Sequence, residues 1–124
     1  MLTIDDDPVI RMIVSRVLGS KGIETADATN GVEGLAQARE LRPDLVLCDL
    51  DMPTQDGFDT LIAMRSDPEL QSIPFVLITG VATEADERRM LGAGADGILR
   101  KPFSFPVLLE TVQRFTQNRG PASA

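Results

Sequence analysis

The chain has no histidine, no tryptophan and no tyrosine. Without histidine, a Ser–His or Cys–His catalytic pair is excluded, and so is a zinc site of the usual His/Cys kind. Without tryptophan or tyrosine, nothing supports a stacked flavin. Cysteine occurs once, as Cys48, so no internal disulfide can form. Its neighbours Leu45, Val46 and Leu47 mark it as a buried, inert thiol. Positive charge is short as well: 12 Lys and Arg against 19 Asp and Glu leave a net charge of -7. That balance argues against sequence-independent nucleic-acid binding and favours a cationic ligand or partner. No run is long and apolar enough to span a membrane, and no signal-like segment precedes the first strand. A cytoplasmic location, with no membrane contact, is the expectation.

What is present is an alternation of short apolar runs and amphipathic stretches in a length that suits one domain. Strands are expected at 1–4, 23–28 (the weakest), 45–49, 75–79 and 98–100. Asp7 before Pro8 predicts a helix entry, with Val9, Ile10, Ile13, Val14, Val17 and Leu18 on one face and Gly19 and Gly22 at its end. Asn30-Gly31, with Glu33 completing a cap, predicts a second helix carrying Val32, Leu35, Ala36 and Leu41, stopped by Pro43. A third helix is expected over 57–65, with Phe58, Leu61 and Ile62 inward and Asp67-Pro68 as its break. Thr83 with Asp86 reads as a capping box for a fourth, through Leu91. The fifth spans 104–117, with Val107, Leu108, Val112 and Phe115 inward. Five strands alternating with five helices predict an α/β fold: a parallel sheet covered on both faces, with a ligand crevice at the carboxyl ends of its strands. Gly92-Ala93-Gly94-Ala95-Asp96-Gly97 matches GxGxxG, but it follows a helix and precedes a strand, the reverse of a dinucleotide site. Arg88 and Arg89 read as a solvated helix face.

The polar residues at those strand ends are the informative part. Asp5, Asp6 and Asp7 follow the first run, Asp49-Leu50-Asp51-Met52-Pro53 the third, Thr79 the fourth and Lys101-Pro102 the fifth. Asp7 is best read as the helix cap, and Asp56-Gly57 as a turn and helix start. Carboxylates brought together from Asp5, Asp6 and Asp49 resist joint ionisation, and a hard dication relieves that. Carboxylate oxygens suit Mg²⁺, with Mn²⁺ as a possible substitute. An aspartate can accept a phosphoryl group as an acyl phosphate. Lys101 and the Thr79 hydroxyl can neutralise its remaining oxygens.

Together, Ile4-Asp5-Asp6-Asp7-Pro8, Asp49-Leu50-Asp51-Met52-Pro53 with Asp56-Gly57, Ile78-Thr79-Gly80 and Leu99-Arg100-Lys101-Pro102-Phe103 resemble the receiver domain of two-component response regulators, in the right order and spacing. The resemblance implies a flavodoxin-like (βα)5 three-layer sandwich with sheet order 2-1-3-4-5. It implies Asp49 as phosphoacceptor from a phosphohistidine of a sensor histidine kinase or a histidine phosphotransfer protein. It implies Mg²⁺ on Asp6, Asp49 and the backbone carbonyl of Asp51, with Asp5 acting through water. Thr79 and Lys101 would contact the phosphoryl group, and the Lys101–Pro102 bond would be cis. A downstream partner would read the face built from the fourth helix, fifth strand and fifth helix. The domain would occupy residues 1–118, with 119–124 a disordered tail or the start of a linker. The chain would be a signalling module, with catalysis limited to its own phosphorylation and dephosphorylation.

One departure stands out. Receivers commonly carry Tyr or Phe where this chain has Ile98. Thr79 is then expected to move toward the phosphoryl group while Ile98 repacks without a ring movement. Asp51 and Val81 hold the positions that influence acyl-phosphate hydrolysis in the family. Two other readings compete. One is a receiver-like binding module that is no longer phosphorylated. The other is an aspartate-nucleophile phosphatase of the haloacid-dehalogenase type, suggested by Asp49-Leu50-Asp51 but opposed by Pro53 where that motif wants threonine.

Overall fold

The computed structural model describes residues 1–51, 57–80 and 83–117. Its elements alternate without exception among those residues: β1 (Leu2–Ile4), α1 (Pro8–Gly19), β2 (Ala26–Ala28), α2 (Gly31–Leu41), β3 (Val46–Asp49), α3 (Gly57–Ser66), β4 (Phe75–Thr79), α4 (Glu84–Gly92), β5 (Gly97–Arg100) and α5 (Phe105–Gln117). The strands form one parallel sheet of order β2-β1-β3-β4-β5. Thr3 lies opposite Asp27 and Leu47, Asp49 opposite Ile78, and Thr79 opposite Arg100. The expected five-stranded order is what the chain adopts.

Helix starts follow local chemistry. The Asp7 carboxylate accepts from the Val9 amide, with Pro8 in the first turn. Asn30 accepts from the Glu33 amide. Thr83 and Asp86 form a reciprocal capping box. Ser104 accepts from the Val107 amide, so it caps α5 instead of belonging to it.

Right-handed crossovers place helices on opposite faces where the strand order reverses. Val14 and Leu18 of α1 join Leu108 and Val112 of α5 over Leu47, Val76, Ile78 and Leu99. Ala38 of α2, Leu61 and Met64 of α3 and Met90 of α4 cover the other face, over Ile4, Val46, Cys48, Phe75 and Leu77. Strand residues at i and i+2 thus feed one core and their neighbours the other. Cys48 is buried, as its neighbours predict.

Several expected core positions face outward instead. In α2 the buried residues are Gly31, Gly34 and Ala38, while Val32, Ala36 and Leu41 are exposed. A methyl added at Gly34 would collide with the Ile4 side chain, so close approach to β1 selects small residues on the inner face. Val9, Ile62 and Val107 are likewise exposed. Each flanks the inward stripe of its helix, and a helix against a sheet buries only part of its circumference. β2 is shorter than expected because pairing with β1 covers only residues 26–28. Arg89 is not simply solvated: its guanidinium sits 4.4 Å from the centroid of the Phe58 ring.

Candidate acidic site at the strand ends

The carboxyl ends of β1 and β3 place Asp5 and Asp49 side by side. Asp5 is fully buried and Asp49 is 4% exposed. Asp6, next in the chain, is exposed. One carboxylate oxygen from each of Asp5, Asp6 and Asp49 lies within 4.8 Å of the others. Lys101, just past β5, places its ammonium 3.4 Å from Asp49 Oδ2. Thr79 ends β4 with 1% exposure, and its carbonyl accepts from the Lys101 amide at 2.8 Å. The five side chains proposed from sequence therefore converge on one end of the sheet.

Backbone amides orient the two buried carboxylates. Asp7 N–H donates to Asp5 Oδ1 at 2.9 Å, and Asp51 N–H to Asp49 Oδ1 at 3.1 Å. The Asp51 carboxylate itself is exposed. Asp5 Oδ2 is buried with no protein partner. Burial pushes the Asp5 carboxyl up to about 6; the Asp7 amide opposes that rise, the Asp49 charge adds to it, Lys101 opposes it and Asp6 adds to it. An orphaned buried carboxylate oxygen beside two further carboxylates is an all-oxygen donor set, which fits a hard divalent cation.

The Lys101–Pro102 peptide bond is cis. Ile98 is half-buried against the core shared by α2, α3 and α4. Met52, Pro53, Asp56, Val81 and residues 118–124 lie outside the described residues.

One contributor, Gly57, was read from sequence only as a turn and helix start, and another, Arg11, was not read at all. A Cβ at Gly57 would lie 2.6 Å from the Asp49 carbonyl oxygen and 2.8 Å from Leu50 Cα, so α3 begins in contact with the strand end that carries Asp49. Arg11 donates from Nη1 to the Asp5 carbonyl at 2.6 Å. A cation one helical turn after an acidic loop was the available signal for it. An apolar groove of ~470 Å³, lined by Ile10, Ile13, Val14, Pro102, Phe103 and Phe105, opens beside Lys101. A larger depression of ~610 Å³ lies at the opposite end of the strands, away from the acids.

The response regulator receiver domain model matches residues 1–113. This chain belongs to that family. It is 31% identical over 115 residues to the polar-differentiation response regulator DivK of Brucella anthropi, covering 93% of this chain and 94% of the relative. Among solved structures it is similar to the chemotaxis protein CheY4 of Vibrio cholerae, with a TM-score of 0.87 at 34% identity over 92% of this chain and 95% of that one. It is also similar to the receiver domain of the sensor histidine kinase PA1611 from Pseudomonas aeruginosa, solved with a magnesium ion coordinated in the active-site cleft: TM-score 0.84, 27% identity, 94% and 95% coverage. The protein is thus a receiver domain of two-component signalling. Among the described residues no helix is long and apolar enough to cross a membrane.

Proposed function

We propose that Asp49 accepts a phosphoryl group from a phosphohistidine of a sensor histidine kinase or histidine phosphotransfer protein, in a Mg²⁺-dependent reaction in the cytoplasm. The observation that carries this reading is the convergence of Asp5, Asp6 and Asp49 within 4.8 Å, with the Lys101 ammonium on Asp49. In the transfer, an Asp49 carboxylate oxygen forms the new P–O bond as the P–N bond to imidazole breaks. With a proton already on its other ring nitrogen, the imidazole leaves neutral. This chain has no histidine of its own to supply the group. Lys101 neutralises one phosphoryl oxygen, and the Thr79 hydroxyl donates to another. Asp6, Asp49 and the Asp51 carbonyl would hold Mg²⁺, with Asp5 acting through water; Mn²⁺ has the same oxygen preference and can substitute. When bound, the cation supplies charge neutralisation between acceptor and phosphoryl group. The magnesium in the PA1611 receiver supports the assignment.

The output follows from differential affinity of a partner for the two states. Thr79 would move toward the phosphoryl group, Ile98 would repack, and the α4–β5–α5 face would carry the change. Residues 1–118 form the functional unit in this reading, with 119–124 a tail or linker. Asp51 would steer or exclude the water that hydrolyses the acyl phosphate.

Incubation with a small acyl phosphate and Mg²⁺, followed by intact-mass measurement, tests this. A single phosphoryl adduct that disappears in Asp49→Asn is the expected result. Turnover of added phosphomonoesters would assign a phosphatase instead. A chain that stays unmodified would be a binding module.

A further inference from the structure

We infer that Arg11, outside the acidic cluster, is a positioning residue for it: its guanidinium fork fixes the turn that presents Asp5 and Asp6, and Asp27 fixes the fork. The inference rests on the reading that the cluster takes a divalent cation.

Arg11 sits one turn into α1. Its Nη1 donates to the Asp5 carbonyl at 2.6 Å, and its Nε to Asp27 Oδ2 at 3.1 Å. Its backbone amide donates to the Asp7 carbonyl at 3.2 Å. The carbonyls on both sides of Asp6 therefore end on one residue. The Asp5 carbonyl belongs to the peptide that joins Asp5 to Asp6, so rotation of that plane would swing both carboxylates. Asp27 is itself held, since its carbonyl accepts from Gln37 Nε2 of α2 at 2.7 Å. The clamp thus ties α1, β2 and α2 to the end of β1. β2 has only three residues and lies at the sheet edge, and the Asp5 amide donates to its Ala28 carbonyl at 3.0 Å, so the clamp acts beside that bond in holding the turn.

The role is geometric. Arg11 meets the acidic turn at the Asp5 carbonyl, and its ion pair is with Asp27. Arginine answers two acceptors from one rigid plane, and a lysine ammonium does not. Charge and clamp also predict opposite signs. Removing a cation beside a cation site favours binding, while releasing the turn disfavours it.

The test is a Mg²⁺ titration of the full chain at low temperature, read from the amide resonances of Asp5, Asp6 and Asp49. Parent, Arg11→Lys, Arg11→Ala and Asp27→Asn are compared, with a urea midpoint for each to separate stability from affinity. Arg11→Lys and Arg11→Ala are expected to weaken Mg²⁺ binding roughly 10-fold, as loss of an outer partner of a metal ligand does. Asp27→Asn, at an exposed side chain, keeps the test open if the Arg11 variants do not fold. It is expected to weaken binding about threefold even in about 0.5 M salt, where the lost surface charge is screened. Folded variants that bind within twofold of the parent, or more tightly, overturn the inference and leave the cation reading standing. A parent that binds no Mg²⁺ overturns both.

Discussion

The two ends of the sheet treat their charged groups in opposite ways. At the amino end, Arg65 of α3 reaches under the strands. It donates to the Gly94 carbonyl at 2.9 Å, to the Gln71 and Ile73 carbonyls at 3.1 and 2.9 Å, and to Asp96 Oδ2 at 2.8 Å. Asp96 in turn accepts the Phe75 amide at 2.8 Å, so one ion pair stitches α3, the α3–β4 loop, β4 and the turn into β5. At the carboxyl end, three carboxylates crowd one lysine, and Asp5 Oδ2 has no protein partner. Opposite charges matched to geometry stabilise; like charges forced together cost stability and create a demand for a cation. The crowding at the acidic end is what the proposed cation would relieve.

The largest test of that contrast removes the satisfied end. Arg65→Ala takes this donor from the Ile73 and Gly94 carbonyls and leaves Asp96 the Phe75 amide. The pair is partly solvated, so an expected loss of about 2–4 kcal/mol in urea unfolding is appropriate. A loss below about 0.5 kcal/mol would show that this end carries no special weight.

The second test relieves the unsatisfied end. The Asp5 carboxyl titrates near 6 when folded, against 3.8 as the unperturbed value. The native state therefore holds the proton more tightly than the unfolded chain. The associated stability is fully present below about pH 4, is lost as pH rises toward about 6, and stays lost above that. In metal-free buffer Asp5→Asn is expected to gain about 2 kcal/mol at pH 7 and to flatten the decline between pH 4 and 6. With Mg²⁺ the ordering should narrow or reverse, since the variant loses one carboxylate of the set and the parent gains more from the cation. Denaturation midpoints across pH, with and without Mg²⁺, read both effects.

The smallest test concerns the middle of the sheet. Thr3 Oγ1 is buried without a protein partner in β1, two residues before Asp5. Thr3→Val is expected to raise stability by about 1 kcal/mol, seen as a higher urea midpoint at unchanged slope. An unchanged or lower midpoint would confine the polar mismatch to the carboxylates alone.

Sequence reading reached the polar end of this molecule better than its packing. Asp5, Asp6, Asp49, Thr79 and Lys101 were legible because each ends an apolar run, and a charge at the exit of a buried strand is conspicuous. The caps at Asp7, Asn30 and Thr83 were legible because they depend on neighbours three residues away or fewer. The inner face of α2 was not: Gly34 meets Ile4 and Ala38 joins the same core, and apolar counting favours Val32 and Leu41, which face out. Arg65 and Asp96 are 31 positions apart and belong to no motif, so their pairing exists only in the fold. The turn at Gly94, with φ +113, explains one glycine of the GxGxxG lookalike: it brings the chain back over Arg65.

The order of residues along this chain was enough to set five strands, five helices and the chemical character of the residues between them, since periodicity and capping are local. Which helices share a face, how closely α2 and α3 approach the strands, that Arg11 joins the Asp5 carbonyl to the Asp27 carboxylate, and that Arg65 gathers carbonyls from separate segments were decided by tertiary structure. Those contacts depend on distances through space, and spacing along the sequence carries no measure of them.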